Sequence, residues 1–424
     1  MTGELPPELS PDLIRGLTQP RVSRRSALKF GGLSALGLAL SACSIAGTKG
    51  KGGNLGGRAW RDEIDKFWSE QKKKGHFDFE NWPLYMDQGA KASDHPSLNL
   101  FTKQTGITVT YREDISDNSG YYGKIAPQLS AGQSIGADII VITNGFELEN
   151  LFERDWLIPL DQSRMTNFYK YSSELVRDPS YDRGNVYTMA WQSGITGIGY
   201  NPKLIGHEIT GWKDLLDPKL SGKIGMFNNS EDLAAAAMCA LGIDPERSTP
   251  SDWNKAADWL KKQRPLVRKY YDQSYADALA KGDLWATMAW SGDIFLKQAD
   301  NPDLKFVIPE EGGVIWTDNM CIPVHAQHPL DAMIYMDYVY QPKIAEMLAA
   351  YINYITPVPA VQPLFAKEAK DATSKADKDT YATLASSPLI FPKPADFARL
   401  HRYRVLPSKE RKAWNALFEP IYQS

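Results

Sequence analysis

Apolar residues change their period several times along the chain, and each change marks an element. ADIIVITN (137–144) is an unbroken apolar run, the pattern of a strand buried on both faces of a parallel sheet. ITVTYRED (107–114) alternates as a half-buried strand does, and FENWPLYM (79–86) reads as a strand running into a loop. HPSLNLFTKQTG (95–106) reads as a helix stopped by Gly106, and YYGKIAPQLSAG (121–132) as another. A short charged helix is predicted over RDEIDKFWSEQKKK (61–74). Strands alternating with helices predict an α/β fold. Further along, GGVIWTDNMCIP (312–323) reads as a strand ending in a loop, with Trp316 and Asp318 at its tip.

In open α/β sheets ligands gather outside the carboxyl ends of the strands. That rule singles out Trp82 and Tyr85, Thr143 and Asn144, and Trp316 and Asp318. They come from distant parts of the sequence, so one site collects them only if the chain crosses between lobes and returns. Taken singly, each has a plainer reading. A Trp packs, and an Asp near a strand end caps a turn or helix.

The first 43 residues read as an export signal. SRRSALK (23–29) carries a twin arginine ahead of a short apolar run over 31–42, too short to span a bilayer. The run ends in Leu40-Ser41-Ala42-Cys43, which resembles the lipobox of bacterial lipoproteins, with Cys43 as the lipidated residue. The Gly-rich GTKGKGGNLGGR (47–58) follows as a flexible tether. The expected place is therefore outside the cytoplasmic membrane, anchored by lipid with the body free in solvent.

Composition narrows the classes. The 424 residues are enough for two or more lobes, and 43% hydrophobic with 23% charged residues describes a globular protein. The net charge of −3, or −5 once residues 1–42 are removed, argues against nucleic acid as a partner. Twelve Trp and 20 Tyr supply many aromatic faces. Cys239 and Cys321 have no spacing that pairs them and are expected as separate buried thiols. His325 and His328 lie between prolines in a loop context, with no further metal ligand near in sequence. No Gly-x-Ser-x-Gly elbow and no His-Glu-x-x-His occurs, so an enzyme is not the expected class.

A series of blocks in this order resembles the extracellular solute-binding proteins of ABC importers, and within them the spermidine/putrescine-binding proteins. The blocks are NWPLYM (81–86), FTKQTGITVTY (101–111), GADIIVITN (136–144), LFERDWLIPLD (151–161), GIGYNPKLI (197–205), GWKDLLDPKLSGKIG (211–225), MAWSGD (288–293), PEEGGVIWTDNMCIP (309–323) and NYITP (353–357). The resemblance covers 77–365 and weakens beyond. It implies a two-lobed periplasmic-binding-protein fold of type II-like form, with discontinuous lobes and a hinge. The first lobe would hold 76–192 plus 318–364, and the second 193–317 plus 365–424. Residues 44–75 would be tether and short helix.

The resemblance also implies a ligand slot. Trp82, Tyr85, Trp290, Trp316 and Tyr354 would wall it, Thr143 would offer a hydroxyl, and Asp318 and Asp232 would face the ligand's ammonium groups. Such groups need carboxylates to replace water and are attracted by aromatic faces. This sequence departs from the pattern at Asn229, where the family has a second acid, and at Gly145-Phe146, where an aromatic is expected one position earlier. Fewer acids favour fewer ammonium groups. The implied function is a monomeric substrate-binding subunit that delivers a polyamine to a permease fed by a cytoplasmic ATPase, with no catalysis and no cofactor. The alternative is the same machine for another small organic cation or amino-acid derivative, and behind it a surface-anchored enzyme.

Overall fold

The computed structural model describes residues 58–423. The export signal, Cys43 and most of the tether lie outside the described residues. Among those residues no helix is long and apolar enough to cross a membrane.

The described strands form one sheet in the order β2-β1-β3-β9-β4-β7-β5-β6, with β10 beside β9 and β8 beside β4. They are β1 (His76–Glu80), β2 (Thr108–Arg112), β3 (Ile139–Thr143), β4 (Met189–Tyr200), β5 (Ile224–Phe227), β6 (Val267–Tyr271), β7 (Ala286–Trp290), β8 (Lys305–Val307), β9 (Gly313–Cys321) and β10 (Leu400–His401). The pairs β1–β2, β1–β3, β5–β6 and β5–β7 are parallel. The long central pair β4–β9 is antiparallel and buried along its whole length. The helix over Pro96–Thr105 ends at Gly106 with φ 72°, as the sequence predicts, because glycine enters the left-handed region without a Cβ clash.

Two large apolar clusters flank that central pair. The first is built on Phe77, Phe79, Ile139, Val141 and Trp191, and the second on Ile224, Met226, Trp212, Trp253 and Met288. β4 and β9 run from one cluster to the other. The expected lobe boundaries at 192/193 and 317/318 meet at one register pair, Ser193 and Thr317, whose hydroxyls lie 2.9 Å apart. A third passage follows between Phe391, packed against the first cluster, and Leu406 in the second.

Two expectations are corrected. Residues 365–390 do not pack with the second lobe. Phe365, Tyr381, Leu384 and Ile390 belong to the first cluster, and Lys343 ties the helix Pro342–Ile352 to Glu368 at 3.1 Å. The aromatic contacts of Phe365 with Tyr381 and Phe391, each at 6.1 Å, hold that segment there, and only the last helix, Ser408–Tyr422, joins the second cluster. Nor do Trp316 and Asp318 sit at a strand tip. They lie in mid-strand in β9, 6% and 5% exposed. The pattern read as strand-then-loop because TDN resembles turn chemistry, but pairing with both β3 and β4 carries the strand through it.

Cys239 and Cys321 are free and buried. His328 Nδ1 lies 2.9 Å from Asp138, whose carboxylate also accepts the backbone N–H groups of His328 and Asp78. These bonds pin the start of the helix Pro329–Tyr338 to the sheet.

Candidate functional site

The alternation of β9 puts Trp316 and Asp318 on one face and Ile315 and Thr317 on the other. Opposite them in register lie Gly194 and Gln192 of β4. Gly194 is required by close approach. A Cβ there would meet the Trp316 ring at 2.3 Å, so only glycine lets the indole lie down on β4. The reverse face carries Ile195, Ile315 and Ile355, beside a cavity of about 220 Å³ lined by Leu175, Leu400 and the His401–Asp244 pair.

Three carboxylates mark the cleft face. Asp318 accepts from Thr143 Oγ1 at 2.6 Å and from Tyr85 Oη at 2.7 Å. Thr143 ends β3 and is its register partner, while Tyr85 arrives from the loop after β1. Asp232, in the first turn of the helix Ser230–Ala240, accepts from Thr196, Tyr403 and Asn229 at 2.7, 2.7 and 2.9 Å. Asp293, opening the helix Ser291–Lys297, accepts from Tyr354 at 2.9 Å and Tyr275 at 2.8 Å.

Aromatic rings run between them. Trp290 meets Trp316 at 6.1 Å, Trp316 meets Tyr354 at 5.6 Å, and Tyr354 meets Tyr85 at 5.8 Å. These edge-to-face and tilted geometries suit ring quadrupoles. Trp316 Nε1 donates to Thr196 at 3.2 Å, which links the aromatic run to Asp232.

The electrostatics are those of an anionic slot. Among the described residues only hydroxyls donate to Asp318, and hydroxyl, amide and indole N–H groups donate to Asp232. Burial pushes the Asp318 carboxyl up to about 6, with the Thr143 and Tyr85 hydroxyls opposing the rise. Burial also raises Asp232, against hydrogen bonds from Tyr403, Asn229, Thr196 and Trp290. A buried carboxylate without a cation beside it is costly, and a bound ammonium group relieves that cost.

Of the residues singled out from sequence, Tyr85, Thr143, Asp232, Trp290, Trp316, Asp318 and Tyr354 join in one network of hydrogen bonds and ring contacts. Trp82 stands apart from the ring series, and its indole N–H is committed to Val141 O at 3.0 Å. Asn229 caps the helix Ser230–Ala240, with both ends of its amide engaged by Asp232 at 2.9 and 2.8 Å. Sequence reasoning missed Asp293, Tyr275, Thr196 and Tyr403. Asp293 was within reach, because it lies three residues past Trp290 in a quoted block. Tyr403 carried no signal, being far from every other block.

The Gly145 departure is also explained. Glu231 from the second cluster's side accepts the Phe146 N–H at 3.0 Å, and a Cβ on Gly145 would come within 2.6 Å of that carboxylate. Phe146 meets Trp414 at 5.8 Å, and Glu153 accepts the Ser408 N–H at 3.0 Å. Arg411 bonds Asn150 and lies 3.6 Å from Glu153. The last helix thus clasps the helix Phe146–Glu153.

Comparison with known proteins places this geometry. Residues 98–380 match the family model described as bacterial extracellular solute-binding protein. The spermidine/putrescine-binding periplasmic protein of Salmonella typhimurium is 28% identical over 304 residues, 71% of this chain and 83% of that one. The putrescine/cadaverine-binding protein of Pseudomonas aeruginosa is 27% identical over 354 residues, 80% of this chain and 92% of that one. The fold matches the spermidine/putrescine ABC transporter substrate-binding protein of Streptococcus pneumoniae with a TM-score of 0.69 at 21% identity, over 82% of this chain and 99% of that one. An α/β sheet whose long central strands run between two apolar clusters, and a family match over most of the described chain, agree: this protein belongs to the bacterial extracellular solute-binding proteins.

Proposed function

We propose that this protein is the substrate-binding subunit of an ABC importer and captures a polyamine of the putrescine or spermidine class. The observation that carries the reading is Asp318, a buried acid bonded only by hydroxyls among the described residues, with one of those hydroxyls belonging to the Trp316–Tyr354–Tyr85 ring series. An ammonium group beside Asp318 supplies the missing charge, and the rings cover the methylenes and attract the cation. Asp293 at the Tyr354 end gives a second ammonium a partner. Asp232 already takes hydrogen bonds from Thr196, Tyr403, Asn229 and Trp290, which leaves it less room for an ammonium and favours a diamine over longer polyamines.

In this reading the lobes open by flexing β4, β9 and the 391–406 passage, and ligand holds them shut. The first lobe is 76–192 with 318–390, and the second is 193–317 with the chain from about 400 onward. The closed form docks on a permease driven by a cytoplasmic ATPase. The protein works outside the cytoplasm, exported by the twin-arginine route and held by lipid on Cys43. Cys43→Ser is expected to release it from membranes into the soluble fraction, and retention on the membrane would refute the anchor.

The deciding experiment is calorimetric titration of residues 60–424 with putrescine, cadaverine, spermidine, spermine and a panel of amino acids. Saturable binding strongest for a diamine is the expected result. Silence towards every polyamine, with binding of an uncharged or anionic solute, overturns the reading.

A further inference from the structure

We infer that Gln192 is a specificity-determining residue of the cleft, its side-chain amide accepting an N–H of the ligand beside Asp318. The inference rests on the cationic-ligand reading above and sharpens it. Gln192 pairs in register with Asp318, just as Gly194 pairs with Trp316, so it leaves the sheet on the cleft face. Thr143 flanks Asp318 on the opposite side and is spent on it. β4 bulges between Ala190 and Gln192, the kind of irregularity that re-aims a side chain.

Gln192 is 2% exposed, yet its Oε1 has no hydrogen-bond partner among the described residues. The buried amides of Asn144 and Asn319, on the adjoining strand end and on β9, are used. Asn144 Oδ1 takes the Thr317 N–H, and Asn319 donates to Ile142 and Thr317. An acceptor buried without a donor is a standing cost to the protein alone. Its place in register with a carboxylate that lacks a cationic partner gives that cost a purpose.

The two groups read different properties. Asp318 attracts any cation, but an amide oxygen needs a donor hydrogen, which an ammonium N–H supplies and a quaternary nitrogen does not. A primary or secondary ammonium satisfies both. A quaternary ammonium reaches Asp318 and leaves Gln192 Oε1 buried and unpaired, so it is rejected.

The test compares wild type, Gln192→Met and Gln192→Glu by thermal melting without ligand, and by titration with putrescine and fully N-methylated putrescine. Met keeps the shape and removes the amide. Gln192→Met is expected to leave the ligand-free Tm unchanged or raised, and to weaken putrescine about 10- to 100-fold. The methylated analogue should shift less than about threefold, so the preference narrows. Gln192→Glu keeps an acceptor and should retain the preference. Unchanged putrescine affinity in Gln192→Met, or equal weakening of both ligands with a lowered ligand-free Tm, overturns the inference. If wild type binds neither cation, the polyamine reading falls and the ligand-free Tm alone decides. A drop then marks the amide as structural, while a rise supports an acceptor kept for another N–H ligand.

Discussion

Replacing Asp318 with Asn should reduce putrescine affinity about 30-fold to several thousand-fold, the range seen when one partner of a buried hydrogen-bonded charge pair is removed. Asn preserves shape; its Oδ1 still accepts from one of the two hydroxyls and its Nδ2 donates to the oxygen of the other, so the fold should survive. A matching pH dependence is expected in wild type. Burial holds the Asp318 carboxyl of the folded protein up at about 6, above the ~3.9 of an unfolded Asp. Without ligand, the folded form therefore binds the extra proton between those values, and loses stability as pH rises from about 4 to about 6, on the order of 3 kcal/mol in all. Ligand reverses the sense, because the cation needs the ionised acid. Affinity should fall about tenfold for each pH unit below about 6, and the ligand-induced rise in Tm should be larger at pH 7.5 than at pH 5. Titration calorimetry and melting across that range check both. Binding by Asp318→Asn within threefold of wild type, or affinity flat from pH 5 to 8, would sink the assignment.

Trp316→Ala should be the most damaging single truncation in the cleft. The indole touches Trp290 and Tyr354, lies on Gly194 and donates to Thr196. Its loss opens a cavity in a buried aromatic cluster and should cost about 3–5 kcal/mol of stability. Ligand binding loses a cation–π face worth about 0.5–2 kcal/mol and the cover over the methylenes. Trp316→Phe separates the two effects. It keeps an aromatic face and gives up the hydrogen bond to Thr196, about 1 kcal/mol, so affinity should stay within about tenfold. Unchanged affinity in Trp316→Ala with a lowered Tm would make the ring core packing rather than ligand wall.

Much of the local structure was legible in the residues. The 3.6 and 2.0 periods marked β2, β3 and the first helices, and Gly106 marked a helix end, because these depend on neighbours in sequence, whereas the strand read over 79–86 is β1 at His76–Glu80, ending before Trp82. The ordered blocks identified the family and gathered most of the cleft. What failed did so where distant chain decides. TDN reads as a turn locally, but strands on both sides hold it in β9. Residues 365–390 carry ordinary amphipathic patterns, and nothing in a pattern says which of two cores it will cover.

The sequence by itself determined the α/β alternation, the export signal as an expectation, and a set of aromatic and acidic residues suited to an organic cation. Only the tertiary structure decided how each is used. Asn229 became a cap because Asp232 takes both ends of its amide, and Gly145 leaves room for the Glu231 carboxylate that accepts the Phe146 N–H. Asp293 and Tyr403 entered the cleft through contacts spanning 61 and 171 residues. Side-chain chemistry is fixed by the residue, but burial, register and hydrogen-bond supply are properties of neighbours that only folding brings together.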